Sequence, residues 1–238
     1  MIRIAVIEDD MTIRKMVCEK VREYTDTNSV VVIDDFESAE AFLPNLESNE
    51  RYHIVFSDIE MPGMDGLNLG LRLKRKWPNA YLVYLTNHSK FAAKSYYVEA
   101  YQYILKNELD KRLPKIMGRL IEKVERDLKK FIVVDCAFEP KKLHYSDIIC
   151  IRKTKGSKYV EYCTINECIR ERTPLGNVLE RVDSPEFIEI ARGCIVNMRH
   201  IESIQDKIIT LSNKKEVTAS RPRIVKVKEQ ISRYWGSL

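Results

Sequence analysis

Short apolar runs alternate with segments of helical period through the first half of the chain. Residues 2–7, 29–33, 53–56, 81–85 and 102–105 are rich in β-formers, while Thr12, Ile13, Met16, Val17 and Val21, and then Leu67, Leu71, Leu73 and Trp77, recur at helical spacing. Five strands alternating with helices predict a doubly wound α/β domain with a five-stranded parallel sheet. The unbroken apolar run at 81–85 suits a strand buried on both faces. Pro78-Asn79 stops the helix before it. Residues 108–130 read as one long helix carrying Leu113, Ile116, Met117, Leu120, Ile121 and Val124, with Pro114 in its early turns, where proline is tolerated. The charged stretch 122–130 ends that helix and reads as an inter-domain connector.

From Phe131 the period shortens. Strand-like segments recur at 148–152, 159–164, 168–172, 187–190, 207–211 and 216–218, with helices expected at 174–182 and 225–234. A mostly β second domain follows. The expected division is a first domain at 1–125, a linker at 126–135 and a second domain at 136–236. No internal repeat and no low-complexity tract interrupts it.

Composition narrows the class. The chain has 238 residues, 45% hydrophobic and 32% charged, which describes a folded globular protein. No apolar run approaches the ~20 residues of a membrane span, and the N-terminus enters a strand pattern with no signal peptide before it, so a cytoplasmic protein with no membrane partner is expected. Cys18, Cys136, Cys150, Cys163, Cys168 and Cys194 form no C-x-x-C pair and do not interleave with histidine at zinc-finger spacing. Reduced thiols are expected, the alternative being a redox role for one of them, with Cys194 the best placed. The formal net charge of +5 lies in the second half: residues 1–130 carry 21 Lys/Arg against 21 Asp/Glu, and residues 131–238 carry 19 against 14. A neutral half joined to a basic half points to a polyanion partner for the second.

Chemistry concentrates at strand ends. One apolar run delivers Asp58 to the start of a Pro/Gly-rich loop, and another ends in Glu8-Asp9-Asp10. If these are neighbouring parallel strands, three or four carboxylates converge at one sheet edge. Like charges ~4 Å apart repel by roughly 4 kcal/mol at an effective dielectric near 20, which a divalent cation would offset, and oxygen-only coordination suits Mg²⁺. A carboxylate facing that ion can accept a phosphoryl group. Thr86 ends the fourth strand on the same edge, Lys106 ends the fifth, and Tyr103 lies three residues before it. Ligands bind outside the carboxyl ends of such a sheet, at its topological switch point.

Over residues 1–125 this ordered set resembles the CheY-like receiver domain of two-component response regulators. The resemblance implies Asp58 as phosphoacceptor, Glu8 and Asp9 as the acid pair with Asp9 the direct Mg²⁺ ligand, and the Glu60 backbone carbonyl as a further ligand. It implies that Thr86 bonds a phosphoryl oxygen, that Lys106 pairs with it, and that Tyr103 is the aromatic that turns inward on activation. Asn107 stands where the family usually has proline. A non-proline cis bond costs about 2.5–4 kcal/mol, so this loop is expected to be trans or differently shaped.

The second half resembles the LytTR DNA-binding domain of LytR/AgrA-type regulators. The resemblance rests on Tyr145-Ser146-Asp147-Ile148-Ile149, on the run from Phe187 to Asn197, and on Ala219-Ser220-Arg221 before the last helix. Glu189, Ala191 and Gly193 depart from the Arg, His and Ser common there. DNA contacts are implied in three loops: Lys155, Ser157 and Lys158; Arg192; and Arg221 with Arg223. Arginine bonds bidentately to guanine and each good pair contributes about 1–3 kcal/mol of discrimination, whereas Lys155, Lys158, Lys226 and Lys228 suit phosphates.

Together the resemblances imply a transcription factor rather than an enzyme, phosphorylated by a sensor histidine kinase, dimerising when phosphorylated and binding repeated sites in double-stranded promoter DNA. The alternatives are a DNA binder regulated without phosphate, its receiver used only for protein interaction or dimerisation, and an interaction switch whose basic domain binds RNA or protein. A phosphatase with an aspartyl nucleophile would need a second Asp two residues after Asp58, where Glu60 stands.

Overall fold

Ile2–Ile7 is buried at every position but Arg3, which marks β1 as an interior strand. Its neighbours follow from the same composition: β2 (Val31–Phe36), β3 (Ile54–Asp58), β4 (Tyr81–Thr86) and β5 (Gln102–Leu105). The computed structural model describes residues 1–24, 30–48, 51–91, 97–136 and 139–236, in two units, Met1–Arg126 and Asp127–Leu238. In the first unit the five strands pair in parallel in the order β2-β1-β3-β4-β5. β1 and β3 are adjacent although β2 lies between them in the chain, so the winding reverses at their shared edge.

Helices α1 (Met11–Glu23), α2 (Ala39–Glu47), α3 (Gly66–Lys76) and α4 (Leu109–Lys129) accompany these strands, and the first three start where side chains cap them. Asp10 accepts from the backbone N–H groups of Thr12 and Ile13, Ser38 from Ala41, and Asp65 from Asn68. α2 was not foreseen, because Pro44 interrupts its pattern; Phe42 and Leu46 nevertheless bury into a core with Tyr52, Leu69, Leu73 and Trp77. β2 runs from Val31 to Phe36 rather than over 29–33. The reason is Asp34, whose carboxylate takes hydrogen bonds from Arg3 at 2.8 Å and the Tyr52 hydroxyl at 2.7 Å, so that a charged residue fits an edge strand. Ser29 lies outside the described residues.

The second unit is mostly β. Its main sheet is antiparallel, in the order β10-β9-β8-β12-β11. The strands are β8 (Ile148–Arg152), β9 (Val160–Thr164), β10 (Cys168–Glu171), β11 (Phe187–Ala191) and β12 (Cys194–Asn197). One face (Ile148, Ile151, Val160, Tyr162, Ile169, Ile195) packs on the hairpin β6 (Phe131–Asp135)–β7 (Pro140–His144) and on α5 (Leu175–Arg181). The opposite face (Cys150, Cys163, Ile188, Ile190, Val196) packs on β13 (Ile201–Gln205), β14 (Ile208–Leu211), β15 (Glu216–Thr218) and the closing helix α6 (Ile224–Gly236).

The stretch 126–135, expected as a linker, carries regular structure. α4 continues to Lys129, and β6 begins at Phe131 with Ile132 and Val134 buried and their neighbours exposed. That period-two alternation belongs to a strand covering a sheet, and the buried Glu171 holds it by accepting from the backbone N–H of Asp135.

The loop after β3 is drawn tight by Gly66, whose N–H donates to the Ile59 carbonyl at 2.9 Å. A Cβ on Gly66 would stand 1.9 Å from the Asp58 carbonyl oxygen. Gly66→Ala is expected to destabilise the first unit by about 3 kcal/mol, the upper end for overpacking. Urea unfolding followed by fluorescence of the buried Trp77 should show an earlier midpoint at unchanged slope.

Candidate functional site

Strand register assembles the first constellation. Ile7 lies opposite Ser57, so Glu8 follows β1 at the level of Asp58. Asp58 lies opposite Leu85, one residue before Thr86, and Thr86 lies opposite Leu105, one residue before Lys106. Two carboxylates, a hydroxyl and an ammonium therefore leave four adjacent strands at one edge, at the switch point between β1 and β3.

Asp58 and Glu8 are buried, and Lys106 bridges them. Its Nζ lies 2.6 Å from Asp58 Oδ2 and 2.8 Å from the Glu8 carboxylate. The other Asp58 oxygen, Oδ1, accepts from the backbone N–H groups of Ile59 at 2.5 Å and Glu60 at 3.2 Å. Burial pushes the Glu8 carboxyl up to about 7, against the hydrogen bond from Lys106 and with a further push from Asp58. Glu8 Oε2, although in ionic contact with Lys106, receives no hydrogen bond. Ligand oxygens of Glu8, Asp9 and Asp58 lie within 4.8 Å of one another. Three carboxylates against one ammonium form a donor set that fits a hard divalent cation. Asp10 takes no part, being committed to the cap of α1.

The hydroxyl and aromatic members come together beside this cluster. Thr86 is buried and its hydroxyl accepts from the His88 N–H at 3.2 Å. The Tyr103 hydroxyl donates to the His88 carbonyl. Burial raises the Tyr103 hydroxyl's pKa, while a hydrogen bond with Thr86 opposes the rise. The Glu60 side chain turns toward His88 and Lys90, at 3.3 and 3.5 Å. Asn107 sits within a 3-10 turn, Lys106–Glu108, and the described residues contain no cis peptide bond. Residue spacing missed Arg14, which clamps the loop after β1 by donating to the Glu8 carbonyl at 2.6 Å and pairing with Asp35 at 3.0 Å. It also missed Tyr84, whose hydroxyl donates to the Gly66 carbonyl at 3.0 Å and pins the start of α3.

The second constellation lies on three loops, two of them tied to each other and the third to β11 through backbone hydrogen bonds. Lys153, entering the β8–β9 loop, donates from its N–H to the Gly193 carbonyl in the β11–β12 turn at 2.8 Å, and Ser220 donates to Ile190 at 2.9 Å. Gly193 has φ +87°, and a Cβ there would meet the Lys153 carbonyl at 2.7 Å, so glycine at this position lets the first two loops close on each other. Lys155, Lys158, Arg192 and Arg221 are exposed on these loops. Ser157 is used locally, donating to the Tyr159 carbonyl and accepting from its N–H. Arg223 is half-buried and engaged, 2.5 Å from Glu189 Oε2 and bonded to the Glu189 carbonyl. Only across strands could the departure at Glu189 be seen to supply that partner. Asn197 is buried and structural, donating to the carbonyls of Tyr145 and Ile148 and accepting from Arg199 N–H.

Comparison with known proteins agrees with this division. The response regulator receiver domain family matches residues 4–117, and the LytTr DNA-binding domain family matches residues 140–232. The sensory transduction protein LytR of Staphylococcus epidermidis is 24% identical over 230 residues, covering 84% of this chain and 89% of that one. Sensory transduction protein LytT of Bacillus subtilis is 24% identical over 214 residues, covering 86% of each. Among solved structures, response regulator TrrA of Thermotoga maritima in complex with Mg²⁺-BeF is 29% identical, with a TM-score of 0.44 over 50% of this chain and 99% of that one. A LytTr DNA-binding domain from Bacillus cereus aligns at 14% identity with a TM-score of 0.38, over 43% of this chain and 96% of that one. No helix among the described residues is long and apolar enough to cross a membrane.

If the three acids hold a cation, removing one charge weakens it. Titration calorimetry with Mg²⁺ should show binding to the wild type and at least about tenfold weaker binding to Asp9→Asn, a loss of ~1.4 kcal/mol. Asp10→Asn, which alters only the helix cap, should bind as the wild type does.

Proposed function

The chain belongs to the response regulators that join a receiver domain to a LytTR DNA-binding domain, and from that membership we propose that it is a cytoplasmic transcription factor controlled by phosphorylation of Asp58. The observation that carries the reading is the Lys106 ammonium, 2.6 Å from Asp58 at the end of β3 and held there by the buried Glu8.

In this reading Asp58 attacks the phosphorus of a phosphohistidine presented by a sensor kinase. The P–N bond breaks, a P–O bond to the carboxylate forms, and the kinase imidazole leaves. Asp58 Oδ1 is held by two backbone N–H groups, which fixes the rotation of the carboxylate and directs Oδ2 toward the incoming phosphoryl group. Lys106 then neutralises a phosphoryl oxygen. Glu8, Asp9, Asp58 and the Glu60 carbonyl would hold Mg²⁺, which when bound offsets charge on the transferring oxygens. The acyl phosphate adds roughly −1.5 to −2 charges. That charge draws in the Thr86 hydroxyl, and Tyr103, already against Thr86, repacks with it. The protein dimerises in that state, and each LytTR domain lays its three loops on duplex DNA at one of two repeated sites, with Arg192 and Arg221 reading bases and Lys155 and Lys158 contacting phosphates. Arg223 contributes to DNA only when it exchanges Glu189 for a base or phosphate.

Acetyl phosphate with Mg²⁺ should add one phosphoryl mass to the wild type and none to Asp58→Asn. An unmodified wild type would favour a DNA binder regulated without phosphate. In gel shifts on duplex promoter DNA, Arg192→Ala should lose at least about fivefold affinity, as expected for one bidentate contact of ~1–3 kcal/mol. Tighter, salt-insensitive binding to RNA would overturn the transcription-factor reading.

A further inference from the structure

Three cysteines widely spaced in sequence form a row across the main sheet of the second unit. Cys150 on β8 lies directly opposite Cys163 on β9, and Cys163 lies directly opposite Cys168 on β10. Directly opposed antiparallel residues have Cα atoms about 4.5–5.5 Å apart, inside the roughly 4.4–6.8 Å that a disulfide spans. The next row on the same face is charged: Arg152 on β8 and Arg170 on β10 both pair with Glu161 between them, at 3.8 and 2.7 Å. Arg152 also donates from Nη2 to the Cys163 sulfur at 3.3 Å, and its buried Nε has no hydrogen-bond partner. A cavity of about 240 Å³ opens on the site, lined by Cys150, Arg152, Cys163, Asn213, Lys215 and Glu216.

We propose that the Cys150–Cys163–Cys168 row is an oxidation site for small hydroperoxides, which enter the cavity, react at Cys150 and leave a cross-strand disulfide. The charge distribution suits Cys150 to the first step. Contact with the Cys163 thiol holds the Cys150 thiol below its usual range, burial opposes this and the Arg152 guanidinium assists. Cys163 is pushed up by the same contact and by burial. Loss of the first proton is thereby favoured at Cys150 over Cys163. Cys194, which sequence spacing favours, is pushed up to about 11 by burial and lies opposite Arg152, outside the row.

The Cys150 thiolate attacks the terminal peroxide oxygen, the O–O bond breaks, and the departing alkoxide or hydroxide takes a proton. Cys150 is now a sulfenic acid. Cys163, as it loses its proton, attacks that sulfur and forms the S–S bond while hydroxide leaves as water. Two thiols and one hydroperoxide give one disulfide, one alcohol (or water) and one further water. Cys168, exposed at the outer end of the row, can attack the Cys163 sulfur as a thiolate, moving the bond to Cys163–Cys168 and releasing Cys150. Cys163 joins only one partner at a time, and the strand spacing accommodates both bonds without a change of register. The Arg152–Glu161 row separates these cysteines from the β8–β9 loop, which carries Lys155 and Lys158, and the oxidation chemistry is independent of any role in DNA binding.

The test is treatment of the full chain with hydrogen peroxide, followed by tryptic mass mapping without reductant. Cys150 falls in the peptide 143–152, and Cys163 and Cys168 share the peptide 159–170. The expected result is loss of two hydrogens, seen as a link between these peptides or as a bond within 159–170. Cys163→Ser should abolish both products and leave Cys150 trappable by dimedone. Cys168→Ser, which removes only an exposed thiol, should lose the internal bond and keep the link between peptides. Oxidation confined to Cys18, Cys136 or Cys194 would overturn the proposal, as would disappearance of the inter-peptide link in Cys168→Ser. Persistence of that link at wild-type yield in Cys163→Ser would do the same.

Discussion

One buried ammonium between two buried carboxylates sets the terms for the first unit. Removing charges from water costs several kcal/mol per ion, repaid only where the geometry is good and the remaining polar atoms are satisfied. Lys106 meets the first condition for both acids, and the backbone donors of Ile59 and Glu60 satisfy the second for Asp58. Glu8 is left short. Its carboxyl is pushed up to about 7, chiefly by burial, and its two oxygens share the one ammonium with Asp58. The cluster is therefore balanced for holding Lys106 and unbalanced toward one more cation. The rest of the edge serves that arrangement: Arg14 fixes the loop after β1, Gly66 allows the loop after β3 to fold back, and Tyr84 ties the start of α3 to β4.

The second unit solves a different problem, the presentation of cations on loops. Loops are mobile unless their backbone groups are paired, and here Lys153 is paired with Gly193 of the next loop and Ser220 with Ile190 of β11. Glycine at 193 is what permits the first of these, since any side chain would strike Lys153. The exposed Lys155, Lys158, Arg192 and Arg221 thus project from a braced surface, while Arg223 is kept against Glu189. Bracing of this kind reduces the ordering cost of binding a polyanion.

Much of the first site was legible because an acid ending an apolar run can occupy only one place in a parallel sheet, the carboxyl edge. Asp58, Thr86 and Lys106 are each the residue at or just after the end of such a run, and the order of the strands brings them together. Contacts made across strands were not legible. Glu189 reads as a departure from an expected arginine until β11 and the start of α6 are seen side by side. The thiols depend on finer detail still: a bulge between Ile148 and Cys150 places Cys150, rather than Ile149, opposite Cys163. A slip of one residue sends a side chain to the other face, and nothing in the spacing of the cysteines reveals the bulge. The strand within the expected linker is hidden for a related reason, since Ile132 and Val134 alternate over too few residues to announce a strand by themselves.

Asn107 bears on how the proposed phosphate signal would leave the site. Where proline is usual, this chain has a residue within a 3-10 turn, and Lys106 still reaches Asp58 and Glu8. Placement of the lysine therefore does not require the proline; it is set by β5 register and by the two acids. A phosphoryl group on Asp58 would compete with Glu8 for the same ammonium, so Lys106 can answer it with little movement. The group that would have to move in that reading is the Thr86 hydroxyl, which receives the His88 N–H, and the side chain in contact with it is Tyr103, whose hydroxyl is bonded to the His88 carbonyl. Thr86, His88 and Tyr103 form one small network in which a change at the first disturbs the bonds of the other two. In the proposed reading, coupling from the site outward would therefore run through β4 and Tyr103, and the loop that carries Asn107 would be left the task of holding a charge in place.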